Sequence, residues 1–471
     1  MGPGDRHHRP HRRPEGERAQ ACQHQPSAVT MEALPKVMDC PPSDRPLRIA
    51  IVYSRLPFPM MRGDQLTVAH LISFLAARGH DVDLYTLDMQ GKLSGTQREW
   101  LERNCRKLRI YRHGPVRILR GLIAGLFRRE PAQVAMFRNE VLARELAAAT
   151  RSNAYDVIYC YYMRSAHAVL QPPARLHRNA TTFPATFLAM QLSQSLNTRR
   201  ILENERNPVR RWLYRIETAR CEWYEARVWQ RFTRSVLIGP ADVAKVKAVC
   251  AAQGQPEIDN WVYGAHGTDL SHYRPARPDE IVPGRVVFSG SMLYQPNVQA
   301  VLWFVEHCWA RIRAAVPDAR LVIQGRDPTA PIRELDGRDG ISVTGTVSDM
   351  GINIRSASVC INPMRAAGGM QNKLIEYMAS AKAIVATSIA NEGTMAPDDA
   401  LLLADEAPAF ADAVIGILSD PRRGAALGAA ARRYVESNWT WESHFLKLEK
   451  AIFESLGLPA DPVEERAAVP A

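Results

Sequence analysis

The run Leu47-Arg48-Ile49-Ala50-Ile51-Val52-Tyr53, followed by a Pro- and Gly-bearing loop ending at Gly63-Asp64, is the stretch on which the fold is read. Branched apolar residues in an unbroken row are what a strand buried on both faces of a parallel sheet requires. Beyond the loop, apolar residues at 68, 71, 72 and 75 predict a helix from Leu66 to Ala77. Gly79-His80 closes it, and Asp81 to Leu87 reads as the next strand. The same plan returns downstream: Val286-Val287-Phe288, a loop from Ser289 to Pro296, a helix from Asn297 to about Arg313, and the strand Leu321-Val322-Ile323 running into Gly325. Two such starts, near 47 and 285, predict an α/β protein of two Rossmann-like domains with the ligand between them.

The chain has 471 residues, 46% hydrophobic and 23% charged, enough apolar material for two domains and too much for a disordered chain. The expected division is a first domain over 46–275, a linker marked by Pro275, Pro278 and Pro283, and a second domain over 284–456. Residues 1–45 are rich in Arg, His, Pro and Gly without the apolar core of a signal peptide, and are expected to be a disordered tail, with 457–471 frayed. No apolar run approaches the about 18 residues that span a bilayer. Eight scattered cysteines without metal-ligand spacing fit a reduced, cytoplasmic protein.

The formal net charge of +11 is concentrated: residues 101–234 hold 25 Lys/Arg against 10 Asp/Glu. Within them Arg106 to Arg129 carries eight basic residues, no acid, and interleaved aliphatics. Such an amphipathic cationic segment fits an anionic membrane surface, the alternative being a solvated charged helix face. Arg199 to Arg234 predicts two helices whose aromatics, Trp212 to Trp229, are read as packing. No nucleic-acid reading motif accompanies the arginines, so no nucleic-acid partner is expected.

The densest chemical signal is Met364-Arg365-Ala366-Ala367-Gly368-Gly369-Met370-Gln371-Asn372-Lys373-Leu374-Ile375-Glu376-Tyr377-Met378-Ala379. A glycine-rich loop leads from a short strand into a helix whose first N–H groups lack intrahelical partners, which suits a phosphate. Lys373 falls in the first turn, where the helix dipole disfavours a cation unless an anion faces it. Glu376, on the same face, has the chemistry to accept from two ribose hydroxyls; the alternative is an i,i+3 pair with Lys373. Ser289-Gly290-Ser291 is a small-residue turn that lets a diphosphate approach the backbone, and Gly63-Asp64 holds the matching place in the first domain, as an acceptor contact or a plain turn. A GxGxxG dinucleotide fingerprint and a GxxxxGK[ST] loop are both absent.

Five pieces carry a family likeness: RGDQLTVAHLISFLAARGHDVDLYTL at 62–87, GAHGTDLSHYRP at 264–275, VVFSGSMLYQPNVQAVLWFV at 286–305, VTGTVSDM at 343–350 and GGMQNKLIEYMASAKAIVATSIANEG at 368–393. In this order, across Leu47 to Leu456, the sequence resembles bacterial glycosyltransferases of the GT-B fold, family 4, in the branch found with exopolysaccharide systems. The resemblance implies two domains facing a cleft, a C-terminal helix crossing back to the first domain, and transfer of a sugar from a nucleoside diphosphate with retention of configuration and no metal or other cofactor. It implies a lipid-linked or glycan acceptor and a place on the inner face of the plasma membrane. Carried over residue by residue, Glu376 would hold the donor ribose, Lys373 and the Gly290-Ser291 turn the diphosphate, with Asn372 assisting and Val347 near the base. Gly63 and Asp64 would border the acceptor, and Arg164 and His167, after the strand Val157 to Tyr161, stand near a cleft histidine of relatives, in the catalytic region with Lys373 and Glu376. The usual EX7E pair would place a glutamate at 368, where this chain has Gly368. That departure keeps a non-catalytic scaffold or polyanion-binding protein as an alternative, beside a sugar-nucleotide epimerase.

Overall fold

A computed structural model describes residues 34–459, apart from 36, 37, 39, 61, 90–92, 171–183, 206, 265, 266 and 367–369. The first sheet contains β1 (Arg48–Tyr53), β2 (Asp81–Asp88), β3 (Lys107–Arg112), β4 (Val157–Tyr161), β5 (Ala185–Gln191), β6 (Arg234–Leu237) and β7 (Trp261–Tyr263). They are all parallel, in the order β3-β2-β1-β4-β5-β6-β7. The second contains β8 (Arg285–Ser289), β9 (Arg320–Gln324), β10 (Ile341–Gly345), β11 (Val359–Asn362), β12 (Ile384–Ala386) and β13 (Leu402–Leu403). Its order is β10-β9-β8-β11-β12-β13, again parallel throughout. In each sheet the first strand of the domain lies where the strand order reverses, which opens a crevice at its carboxyl end.

The apolar run of β1 is explained by two cores. Ile49, Ile51 and Tyr53 pack with Val68, Leu71 and Ile72 on one face, while Ala50 and Val52 pack with Leu142 and Leu146 on the other. The helix that follows spans Gly63–Ala77, so Gly63 and Asp64 form its first turn rather than the loop before it. Periodicity starts counting at the first apolar residue, whereas a first turn needs only free N–H groups and an acid such as Asp64. The expected helix from Asn297 begins at Gln295 and passes through a wide turn at Val305–Trp309. The basic stretch 106–129 divides: its start is β3, and only Pro115–Arg128 is helical, with Pro115 opening the helix. In the arginine-rich pair of helices, Gln194–Asn204 and Pro208–Val228, Tyr224 and the following Trp229 are buried, whereas Trp212 is 59% exposed.

The proline-marked segment is not a free linker. Leu270 and Tyr273 pack on the second core, and Arg432 donates to the Tyr273 carbonyl at 2.8 Å, so the chain has already crossed by Thr268. Proline signals irregular backbone, not looseness. The return crossing lies beside it, where Thr268 bridges Thr440. The last helix, Trp441–Ser455, then enters the first core with Trp441, Phe445, Ile452 and Phe453, outside the domain range in which its sequence stands. Its Glu449 is buried against Arg78 (Nη2–Oε2 3.0 Å) and accepts from His80 Nε2 at 2.7 Å. The Nδ1 of His80 accepts the Leu47 N–H at 3.0 Å, which places the ring proton on Nε2.

Within the expected tail of 1–45, some described residues are attached to the first domain. Met38 and Cys40 pack against the first core, and the Pro41 carbonyl accepts from Arg78, a long-range partner that composition does not reveal. Most of that tail, and of 457–471, lies outside the described residues. Among the described residues no helix is long and apolar enough to cross a membrane.

Removing one member of a buried ion pair leaves the other charge uncompensated. Glu449→Ala is therefore expected to destabilise the first domain by about 3–5 kcal/mol, read as a lower first transition in differential scanning calorimetry.

Candidate active site

The carboxyl ends of β8, β9, β10 and β11 form one edge of the second sheet, and after β8 and β9 the chain leaves that edge through glycines. Gly325, after β9, has φ +153° and lies so close that a Cβ on it would come within 1.8 Å of the Gly290 carbonyl oxygen. A Cβ on Gly290 would lie 2.7 Å from Asn297 Nδ2 and 3.2 Å from Lys373 Nζ. The missing side chain is thus what admits these two groups to the turn.

Lys373 is buried, and its Nζ donates to Asn297 Oδ1 at 2.6 Å. It stands 4.3 Å from the centre of the Phe288 ring. The amide of Asn297 donates in turn to the Ser291 carbonyl at 2.9 Å, so one side chain joins the ammonium to the Gly290-Ser291 turn. Burial pushes the Lys373 ammonium down to about 7, with the charge of Glu376 opposing. Among the described residues Lys373 and Glu376 form no ion pair, so the intrahelical alternative is not what positions the lysine.

The helix Asn372–Ala379 is fixed from below. Tyr377, fully buried, accepts from the Ser289 N–H at 2.7 Å and the Ser289 hydroxyl at 2.9 Å, tying the helix to the end of β8. Gln371 at its N-cap makes no side-chain cap, leaving that end for another partner. Glu376, half-buried, is pushed up to about 7 by its lack of solvent, against the Tyr273 hydroxyl bond and the Lys373 charge, which lower it. Tyr273 reaches it from the segment that follows the crossing between domains. Asn372 is half-buried at the start of the helix, and Val347 is half-buried in the turn after β10, two residues before Asp349, which caps the next helix (2.7 Å to the Gly351 N–H).

The structure therefore gathers Gly290, Ser291, Lys373, Asn372 and Glu376, with Val347 on the same sheet edge. Gly368, where the family likeness expects a glutamate, lies outside the described residues. Asn297, Tyr273 and Tyr377 were not anticipated. The only sequence signal for Asn297 was its place at the opening of a helix after a small-residue turn; the two tyrosines act across the fold and left none.

In the first domain Asp64 is buried between two guanidinium groups, Arg55 at 3.5 Å and Arg164 at 3.7 Å. Arg164 also lies over the rings of Tyr162 and Phe137. His167, on the same short helix Met163–Ala168, turns instead toward Glu140, Nε2 to Oε1 3.8 Å. Burial, with Arg138 and Arg128 nearby, pushes it down to about 3, so its ring is neutral at pH 7. Gly63, Asp64 and Arg164 are thus together and His167 stands apart from that ion cluster. Between the domains, Arg200, Arg210, Arg211 and Tyr214 face Leu293, Tyr294 and Ala366 across an open cleft. Arg200 spans it to Glu392 at 2.8 Å.

Two parallel-sheet domains facing a cleft, with a phosphate-suited strand edge in the second, define the GT-B fold. Residues 283–420 match the family described as glycosyl transferases group 1, and the chain is a glycosyltransferase carrying that domain. It is 21% identical over 415 residues to an uncharacterized 44.6 kDa protein in the cps region of Klebsiella pneumoniae, covering 86% of this chain and 99% of the relative. It is 27% identical over 199 residues to the GDP-mannose-dependent monoacylated alpha-(1-6)-phosphatidylinositol monomannoside mannosyltransferase of Corynebacterium glutamicum, covering 37% and 51% of the two chains. Sucrose-phosphate synthase from Thermosynechococcus elongatus shares the fold with a TM-score of 0.62, 16% identity, and coverage of 87% and 99%. Anabaena HepE, solved in complex with UDP, does so with a TM-score of 0.57, 12% identity, and coverage of 87% and 100%.

Tyr377→Phe removes the acceptor of two buried donors on Ser289. It is expected to cost about 1–3 kcal/mol in the second domain, measured by urea unfolding.

Proposed function

We propose that the chain transfers a sugar, with retention of configuration, from a nucleoside diphosphate to a lipid-linked or polysaccharide acceptor in cell-surface or exopolysaccharide synthesis. The observation that carries this reading is Lys373, buried and held by Asn297 against the Gly290 turn at an uncapped helix N-terminus. A departing diphosphate gathers negative charge, and prealigned N–H groups and an ammonium outside bulk water stabilise it as it forms. The diphosphate supplies the counter-charge that a desolvated lysine lacks, and so favours its ammonium form. In this arrangement Glu376 accepts from the ribose hydroxyls, Val347 lies beside the base and Asn372 assists at the phosphates. Gly63, Asp64, Arg164 and His167 border the acceptor. Closure of the domains excludes the water that would hydrolyse the donor. Among the described residues no cluster of His, Cys, Asp and Glu suits a metal ion, and the cation assigned to the diphosphate is Lys373.

Similar proteins support the donor class: one is solved with UDP and one is GDP-mannose-dependent. The cps-region relative and the phosphatidylinositol-mannoside substrate of the other support a cell-surface product.

The same reading places the protein against anionic lipid through the helix Pro115–Arg128. Its packed face is made of glycine: Cβ atoms on Gly121 and Gly125 would lie 2.1 and 2.4 Å from atoms of Ala135. Its large apolar side chains point away from the protein, Val116, Leu119, Ile123, Leu126 and Phe127, the last 85% exposed. Arg117, Arg120, Arg128 and Arg129 supply the charge for lipid head groups.

Thermal shift against UDP, GDP, ADP, dTDP and CMP tests the donor site. One nucleoside diphosphate is expected to raise the melting temperature, less so as pH rises above 7 and Lys373 loses its proton, and not at all in Lys373→Ala. No shift with any nucleotide would remove the donor assignment. Separately, Leu119→Asp with Phe127→Asp is expected to abolish sedimentation with anionic vesicles while leaving the nucleotide response intact.

A further inference from the structure

The hydrogen bonds around Ser291 join two cations rather than one. On one side they run from the Ser291 carbonyl to the Asn297 amide at 2.9 Å, and from Asn297 Oδ1 to the Lys373 ammonium at 2.6 Å. On the other, the Ser291 hydroxyl accepts from Arg326 Nε at 3.3 Å. The main chain beside Arg326 is fastened to the same turn. The Gly290 N–H donates to the Gln324 carbonyl and the Met292 N–H to the Arg326 carbonyl, both at 3.0 Å. Gly325, between them, approaches the Gly290 carbonyl so closely that no Cβ fits. Arg326 is therefore held at the Gly290-Ser291 turn by its neighbours as well as by its own side chain.

The Arg326 side chain is 31% exposed, and its Nη1 and Nη2 make no hydrogen bond among the described residues. The Asp327 carboxylate is 3.9 Å from Nε and 54% exposed, beyond hydrogen-bond reach and weakened by solvent. Two like charges tied through one serine, neither with a carboxylate in hydrogen-bond contact, make the turn between them attractive to an anion. Lys373 alone does not balance the group assigned to that turn, since a sugar diphosphate ester carries two negative charges and gains a third as the sugar departs. Burial pushes the Lys373 ammonium down to about 7, whereas a guanidinium stays charged at any working pH. A planar fork with its two outer nitrogens open also matches a pair of phosphate oxygens.

We infer that Arg326 is the second cation of the donor site and binds the nucleoside diphosphate through Nη1 and Nη2 while its Nε stays on Ser291. The inference rests on the transferase reading above, which places the diphosphate at the Gly290-Ser291 turn. An arginine that only fastens the loop after β9 would affect every ligand of the site alike, whereas one that holds phosphate affects only ligands that carry it.

Saturation-transfer NMR titration of the full chain at pH 7, with the nucleoside diphosphate found by thermal shift and with the nucleoside of the same base, separates the two. Arg326→Gln is expected to weaken the diphosphate about tenfold or more and to leave the nucleoside unchanged. Arg326→Lys, which keeps the charge without the fork, is expected to fall between Arg326→Gln and the wild type. An unchanged affinity for the diphosphate would overturn the assignment, as would an equal loss for diphosphate and nucleoside. A wild type that binds neither ligand would instead remove the donor-site reading itself, and this assignment with it.

Discussion

One buried carboxylate fixes how the two halves of the chain are joined. Glu449 meets Arg78 at the end of the first helix, and His80, whose other nitrogen holds the first residue before β1. Desolvation offsets much of what such a contact contributes to stability, so its main effect is on specificity: the last helix has one place to dock. Because it docks on the first domain, the chain must cross between domains twice. Arg200 pairs with Glu392 across the cleft between the two domains.

The second-domain site follows a different logic, in which backbone closeness comes first. Gly325 and Gly290 let two strand ends touch, and the space saved over Gly290 is filled by Asn297 and Lys373. Tyr377 keeps the helix from drifting off that edge. A lysine held in such a place, with an amide as its main partner, is electrostatically incomplete, and an anion completes it.

Much of the fold was legible in the sequence because it rests on local demands. The run from Leu47 to Tyr53 needs two covered faces, and the Gly290 turn needs an absent Cβ, whatever surrounds them. The same holds for Lys373, whose position at a helix start is a matter of chain order. Asn297, Tyr273 and Tyr377 escaped because their roles depend on contacts 76, 103 and 88 residues away, to Lys373, Glu376 and Ser289. The true crossing near Thr268 escaped for a related reason: three prolines mark irregular chain, while attachment to a domain is decided by Tyr273 and Arg432 in space. The helix Pro115–Arg128 was legible as amphipathic, but not that glycines would form its inner face, since a stripe of large apolar residues ordinarily turns inward.

The two crossings touch. Thr268 and Thr440 pair as neighbours, the Thr268 N–H donates to the Trp439 carbonyl at 3.0 Å, and Gly267 lies where any Cβ would come within 2.2 Å of the Trp441 nitrogen. Beyond this seam the two bodies also meet where Ile238, just after β6, enters the second core and where Arg200 pairs with Glu392 across the cleft. The placement of one sheet against the other is therefore shared among a backbone seam, an apolar contact and an ion pair, so that loosening any one of them leaves the other two to hold it.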